Sequence, residues 1–189
     1  MSALLRLAGI AAAFVVQAAL VIWLIVPRAA LLANGTEIRL PVIPVDPHDL
    51  FRGDYVALAF PISTLRSDQL AGDDDFDPGE RVFVSLIKEG DVWRAAAMTH
   101  AAPTAGAVFL GGTVDASDTR ANGCQKPCRA YTVSYGLEQF FVPEGAGKAL
   151  EQLRNDQHIS VDVAVGTTGE ALLKRLRVDG ETRYEEPLF

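Results

Sequence analysis

The pattern of apolar and polar residues divides the chain into two unequal parts. Twenty residues without a charge run from Leu7 to Val26 and read LAGIAAAFVVQAALVIWLIV. An α-helix rises about 1.5 Å per residue, so a helix of this length spans about 30 Å, the thickness of the hydrocarbon core of a bilayer. Arg6 and Arg28 flank the stretch, and Trp23 lies near one end, where an interfacial ring is typical. The pattern predicts a transmembrane anchor over 7–26.

A cleaved signal peptide is the alternative for this segment. Its apolar region has about 7–15 residues and precedes a small-x-small cleavage site. The following PRAALLANG offers small residues, but the apolar stretch is longer than that. We therefore expect an uncleaved anchor, with 1–6 as a short cytoplasmic tail and 27–37 as a tether. A tiny tail before the helix and a large part after it favour an N-terminus in the cytoplasm. In a bacterium, the domain would then lie in the periplasm, held at the inner membrane.

After the tether, the chain consists mainly of predicted strands. Apolar residues alternate with a period of two most clearly in ISVDVAVG, and RVFVSLIK is apolar on both faces, which indicates a central strand. Glycine-containing turns at 89–91 and 166–169 predict hairpins. The predicted strands are EIRLPV, YVALAF, RVFVSLIK, DVWRAAAM, AVFLGGTV, RAYTVSYG, ISVDVAVG and ALLKRLRVDG.

One helix is predicted among these strands. Ala146, Leu150 and Leu153 share a face at helical spacing in GAGKALEQLRN. The prediction is thus an N-terminal transmembrane helix followed by a β-rich domain, all-β or α+β, over 38–189. Its architecture would be a sandwich or a partly open barrel with one helix near 146–155.

The net charge of −7 limits the partners of this domain. No basic stripe is present, so nucleic-acid binding is not expected. Most acidic residues follow residue 45, which argues against docking on anionic lipid headgroups. The partner that the sequence itself indicates is the bilayer, through residues 7–26.

The two cysteines, Cys124 and Cys128, stand in CQKPC, where Gly123 and Pro127 favour a turn. A disulfide at a hairpin tip suits an oxidising compartment. A redox pair prefers a two-residue spacer, and a zinc site needs a second pair of ligands. Two free thiols are the remaining alternative. We expect a structural disulfide and no cofactor.

The stretch DPHDLFRGDYVALAF combines a capped turn with a strand. Asp46 is suited to cap a short turn that Gly53 ends. Along the strand that follows, Leu58 and Phe60 take one face and Tyr55 takes the other. The Arg-Gly-Asp tripeptide is explained by this turn and strand, so an adhesion function is not expected.

Two segments of the chain resemble one known family. GDYVALAF resembles the defining motif of the GDYXXLXY family of uncharacterised bacterial membrane-anchored proteins, and VDPHDLFR resembles the segment leading into it. The stretch YGLEQFFVPEGAGKALE, at 135–151, resembles the second hallmark of the family. The resemblance covers about 7–178 and departs where the final tyrosine of the motif is Phe60.

The resemblance implies an extracytoplasmic domain of unknown function. Members are often encoded beside polytopic membrane proteins, which implies a membrane partner. A possible interaction surface would lie where the two hallmark segments meet. The motif residues are Gly53, Asp54, Tyr55, Leu58, Phe60, Tyr135, Gly136, Glu138, Phe141, Pro143, Glu144 and Gly145.

Other candidate chemistries have little support. In DDDFDPGE, glycine takes the seventh position of a calcium loop instead of the sixth, and Val84 takes the twelfth, so a solvated acidic loop is expected. His48, His100 and His158 lack ligand spacing, so no metal site is expected. Gly53-Asp54 and Lys88 loosely resemble part of a Ser-Lys peptidase site, but no serine has the sequence context expected of the nucleophile.

We therefore expect a non-enzymatic accessory subunit of a membrane complex, with no catalytic residues assigned. A binding module for a lipid or small molecule at a barrel mouth is the first alternative. A cryptic hydrolase of the Ser-Lys peptidase type is the second.

Overall fold

In the computed structural model, one long helix precedes a β-rich domain. The structure describes residues 3–43, 55–104, 106–118, 128–141 and 159–185. Helix α1 spans Ala3–Asn34 and includes Pro27. Its segment Leu7–Asn34 is apolar and long enough to cross a membrane, and none of its most apolar window is buried against the domain.

Helix α1 continues through most of the segment that was expected to be a tether. Residues 29–33 are alanines and leucines, which are strong helix formers. Pro27 removes one backbone hydrogen bond but does not end the helix. The helix ends at Asn34, whose side-chain Nδ2 donates to the carbonyl of Ala30 at 3.1 Å.

Twelve strands are present in the described part of the chain. They form a four-stranded sheet in the order β1-β10-β11-β12, a six-stranded sheet in the order β3-β8-β7-β5-β6-β4, and the pair β2-β9. The strands are β1 Thr36–Pro41, β2 Tyr55–Ala57, β3 Thr64–Arg66, β4 Ala71–Gly72, β5 Arg81–Glu89, β6 Val92–Thr99, β7 Phe109–Asp118, β8 Ala130–Ser134, β9 Gln139–Phe141, β10 Ile159–Val165, β11 Ala171–Val178 and β12 Glu181–Glu185. The predicted fold class, an apolar helix followed by a β-rich domain, is confirmed.

The predicted hairpins are present. β5 pairs with β6 across a turn where Gly90 has a φ of 62°, and β10 pairs with β11 across a turn where Gly169 has a φ of 85°. β7 pairs with β8 across the cysteine segment. β5 lies between β7 and β6, as its two apolar faces predicted. The predicted helix near 146–155 and Cys124 lie outside the described residues.

Four short strands were not predicted: β3, β4, β12 and the three-residue strand β9. β12 follows Asp179 and Gly180, which have φ values of 50° and 84°. An Asp-Gly pair with both φ angles positive is a strong hairpin signal, so β12 was visible in the sequence. β3 and β4 have only three and two residues, too few for a periodic pattern.

The core lies between the two large sheets. Gly111 on β7 donates its N–H to the carbonyl of Gly169 at 2.8 Å and so connects them directly. Both sheets and the segments that flank them contribute buried side chains, among them Ile38, Leu40, Leu58, Phe60, Phe76, Val82, Val84, Leu110, Tyr131, Leu137, Val161, Val163 and Leu176.

Helix α1 joins this domain without a linker. Gly35 donates its N–H to the carbonyl of Leu31 at 2.8 Å, and β1 starts at the next residue. A Cβ at position 35 would lie 2.6 Å from the Leu31 oxygen and 3.2 Å from the Cβ of Ala164, so the close approach requires glycine. The end of the helix contacts β10 and β11, and Leu32 is buried there.

Candidate functional site

The two hallmark segments, about eighty residues apart in the chain, are neighbours in the fold. β2 and β9 pair in antiparallel register, with Tyr55 opposite Phe141 and Ala57 opposite Gln139. The N–H of Leu58 then donates to the carbonyl of Glu138 at 2.8 Å, which extends the pairing by one step. We call this pairing the hallmark clasp. The two candidate segments therefore meet, and each fixes the backbone of the other.

The apolar residues of the first hallmark belong to the core. Leu58 and Phe60 are both buried, as their alternation predicted. Phe60 stands where the family motif has tyrosine, and its ring lies in the main hydrophobic cluster. Leu137, in the second hallmark, is buried in the same cluster. These residues hold the clasp to the domain.

Two polar residues of the second hallmark, Tyr135 and Glu138, form hydrogen bonds within the fold. The buried Tyr135 hydroxyl donates to the carbonyl of Ile62 at 2.7 Å. The N–H of Tyr135 donates to the Glu138 carboxylate at 2.6 Å, across a turn where Gly136 has a φ of 75°. Burial, together with the nearby charge of Glu138, raises the pKa of Tyr135 far above its ordinary value. Tyr135 is therefore a fixed hydrogen-bond donor rather than a proton-transfer group.

Several predicted site residues have no described geometry. Gly53 and Asp54 of the first hallmark lie outside the described residues. So do Pro143, Glu144 and Gly145 of the second. The interaction surface predicted from these residues remains a prediction.

A cavity of about 610 Å³ opens between the two large sheets, beside the first residue of β1. Phe83 and Phe109 come from the six-stranded sheet, Thr36 from β1, and Pro103 and Val108 from the β6–β7 connection. Arg81 also lines it and reaches a second cavity of about 370 Å³ beside Gly112, Tyr135 and Gly136. Sequence reasoning missed both cavities. The Gly111-Gly112 pair inside a strand was the available signal, since glycine there often marks a close approach.

A buried carboxylate organises the outer face of the four-stranded sheet. Asp162 is only 1% exposed and accepts hydrogen bonds from the Nε atoms of Arg39, Arg175 and Arg177 at 3.0, 3.0 and 2.6 Å. Burial alone would raise the pKa of Asp162, but these arginines outweigh it and hold that pKa below its ordinary value. Glu37 binds Arg175 as well. Asp162 was not among the residues that the sequence analysis singled out.

The acidic loop and His100 form a second polar cluster. The carboxylate of Asp73 accepts hydrogen bonds from the backbone N–H of His100 at 2.9 Å and from its Nδ1 at 3.0 Å. The buried ring of Phe76 stacks on the imidazole, with centroids 4.1 Å apart. Within the described ranges, no group of His, Cys, Asp or Glu is arranged to hold a metal ion. The loop is a largely solvated acidic loop fastened by one histidine.

Fold and site together define a β-rich domain, closed by a clasp of two hallmark segments, behind one apolar helix of membrane-crossing length. A model of the family described as GDYXXLXY protein matches residues 17–176. The chain belongs to this family. No curated protein and no solved structure matches it at a significant level.

Proposed function

We propose that this protein is a non-enzymatic subunit of a membrane complex, anchored in the inner membrane through residues 7–26. Its N-terminus would lie in the cytoplasm and its domain in the periplasm. The observation that carries the proposal is the junction at Gly35, where α1 passes into β1 with one intervening residue. Because Leu32 packs on the domain, helix and sheet would move together. Such a coupling suits a subunit that transmits contacts between its domain and a membrane partner.

The described hallmark side chains support a structural role for the motifs. Leu58 and Phe60 are core residues, Tyr135 bonds to a backbone carbonyl, and the Glu138 carboxylate accepts a backbone N–H. None of these four is left to act on a substrate. For the peptidase alternative, Lys88 is exposed near the end of β5, whereas the hydroxyl of Ser63 is buried.

The exposed surface of α1 has a face that suits a helix partner. Gly9, Ala13 and Gln17 are spaced by four residues and share one face. Small residues allow close approach of helices in a membrane, and an amide there forms interhelical hydrogen bonds. We infer that a polytopic membrane protein contacts this face.

The test is affinity capture of the full chain from native membranes in mild detergent. We expect a polytopic membrane protein to copurify with the wild type and to be lost with Gly9→Leu/Gln17→Leu. The matched control is Ala11→Leu/Ala18→Leu on the opposite face, which should retain the partner. Capture of no membrane protein by the wild type, or equal capture by both double variants, would reject the proposal.

The compartment is tested separately from the partner. An extracytoplasmic reporter fused after Phe189 should be active, and activity of a cytoplasmic reporter there would reverse the orientation.

We also propose a disulfide between Cys124 and Cys128, supported by the buried position of Cys128 just before β8. Both thiols should resist alkylation until reduced, and labelling without reductant would exclude the disulfide.

A second candidate function is ligand binding, and the 610 Å³ cavity favours it. Pockets for small ligands have volumes of about 300–1,000 Å³ and mostly apolar walls with a few polar groups. Dye displacement on the full chain, with loss of binding in the cavity-filling variant Ala102→Trp, tests this candidate.

A further inference from the structure

The large cavity has an apolar wall of aromatic rings. Phe83 and Phe109 meet edge to face, with centroids 5.9 Å apart and an angle of 73° between their planes. Pro103 and Val108 add apolar surface from the β6–β7 connection. Contact with such a wall favours an apolar chain or ring, because apolar surface is removed from water on both sides.

One cation lies at this wall. The guanidinium of Arg81 lies over the Phe83 ring, 5.3 Å from its centroid. A Cβ at Gly111 would lie 3.2 Å from Nη2 of Arg81, so the glycine leaves room for the guanidinium. Among the described residues, Arg81 forms no ion pair within 4.0 Å. Its five N–H donors therefore include groups that an anion can bind.

Glu170 is the acidic residue whose pKa is affected by the charge of Arg81. The pKa of Glu170 lies below its ordinary value, chiefly because the Thr168 hydroxyl donates to its carboxylate, and to a smaller degree because of the charge of Arg81. The carboxylate of Glu170 is thus already bound by a neighbour. Its charge lowers the positive potential around Arg81. It does not occupy the guanidinium, so an anionic ligand can still bind there.

With residues 7–26 in the bilayer, as proposed above, the cavity would lie close to the membrane surface. Thr36, in its wall, follows the helix end at Asn34. From Val26, the end of the uncharged stretch, the helix rises about 12 Å to Asn34. The polar layer of a bilayer is about 5–7 Å thick on each side. An amphiphile leaving the bilayer would find the cavity just outside the headgroup layer.

We infer that this cavity binds a long-chain carboxylate, with the carboxylate on Arg81 and the alkyl chain against Phe83 and Phe109. The inference rests on the second candidate function, ligand binding, and specifies its ligand. An apolar wall alone would accept a neutral chain. The guanidinium of Arg81, which has no ion pair among the described residues, selects the anionic one through charge-assisted hydrogen bonds.

The experiment is photo-crosslinking of the full chain in phosphatidylcholine nanodiscs. The probes are a sixteen-carbon carboxylate with a diazirine in the chain and the matching alcohol, and labelled peptides are mapped by mass spectrometry. We expect the carboxylate probe to label the wild type at Phe83 or within 102–109. Because Arg81 is exposed, Arg81→Gln should lower this labelling about fivefold, whereas Arg81→Lys should retain most of it.

The controls separate the anionic head from the cavity itself. Arg94→Gln removes an exposed arginine of the same sheet that lies away from the cavity, and it should label like the wild type. Arg81→Gln should leave labelling by the alcohol unchanged, and Ala102→Trp should lower labelling by both probes. Equal labelling of Arg81→Gln and Arg94→Gln by the carboxylate would overturn the inference, while alcohol labelling would still support ligand binding. Labelling of α1 alone by both probes would reject both the inference and the ligand-binding function on which it rests.

Discussion

Removing the carboxylate of Asp162 should destabilise the four-stranded sheet more than any exposed ion pair would. In Asp162→Asn, three arginines lose the one charge that their Nε atoms share. Breaking a buried ion pair by deleting one partner costs about 3–5 kcal/mol. The arginine side chains are 31%, 20% and 20% exposed and regain some hydration, so we expect the lower end, about 3 kcal/mol.

The assay is thermal unfolding of the full chain in nanodiscs, followed by the fluorescence of Trp93 on β6. For a chain of this size, about 3 kcal/mol corresponds to a fall in Tm of about 6–12 °C. Glu89→Gln is the matched control, because the Glu89–Arg94 pair is 55% and 54% exposed and should contribute at most about 1 kcal/mol. An equal change in Tm for the two variants would refute the buried-charge reasoning.

The same variant has a defined pH dependence. The pKa of Asp162 is lowered in the folded protein, from an ordinary value of 3.8. Its contribution to stability is therefore present above pH 3.8 and is lost as the pH falls through the folded pKa. The difference in Tm between wild type and Asp162→Asn should shrink in that acidic range. A difference that stays constant down to the acid limit would contradict the assigned role of the carboxylate.

Three further predictions concern the clasp and the acidic loop. Gly112→Ala would place a Cβ 2.5 Å from Cγ1 of Val133 and 3.0 Å from the Tyr135 ring. We therefore expect the free energy of unfolding, measured with denaturant, to fall by about 2 kcal/mol. An unchanged denaturant midpoint would contradict that geometry. Tyr135→Phe leaves the Ile62 carbonyl without its donor and should cost about 1–2 kcal/mol, with full stability as the refuting result. The pKa of His100 is raised from 6.5, chiefly by the hydrogen bond to Asp73. The stabilising effect of the protonated His100 is therefore present below pH 6.5 and lost as the pH rises through the folded pKa. An NMR titration should show a lower His100 pKa in Asp73→Asn than in the wild type. An unchanged pKa would exclude this pairing.

Local pattern was sufficient for most of the fold. The uncharged stretch from Leu7 predicted the helix, and period-two alternation predicted β1 and β10 because one face of each lies in the core. Two apolar faces predicted β5 as a central strand. The apolar pattern did not predict β3 and β4, because strands of three and two residues are too short to show a period. The segment expected as a tether is helical through Asn34, and composition alone does not separate a tether from a helix of alanine and leucine.

The candidate site depended on contacts that no local pattern encodes. The resemblance identified two hallmark segments, but their register, with Tyr55 opposite Phe141, is set by long-range pairing. Arg81 was not singled out, because an arginine at the start of a strand is common on surfaces. Its significance comes from Phe83 beneath it and Gly111 beside it, and Gly111 belongs to a different strand. Asp162 was missed for the same reason, since its three arginines come from two neighbouring strands.

The hallmark clasp and the cavity are parts of one continuous structure. Tyr135 packs on Gly112, and the adjacent Gly111 makes room for Arg81 and bonds to Gly169 of the other sheet. The packed motif residues would affect the cavity only through its shape, because Tyr135 lies against β7, the strand that carries Phe109 in the cavity wall. If this is correct, Tyr135→Phe should weaken labelling by both lipid probes equally, whereas Arg81→Gln should weaken the carboxylate alone. Motif residues would then set the shape of the cavity, and Arg81 would set its preference for charge.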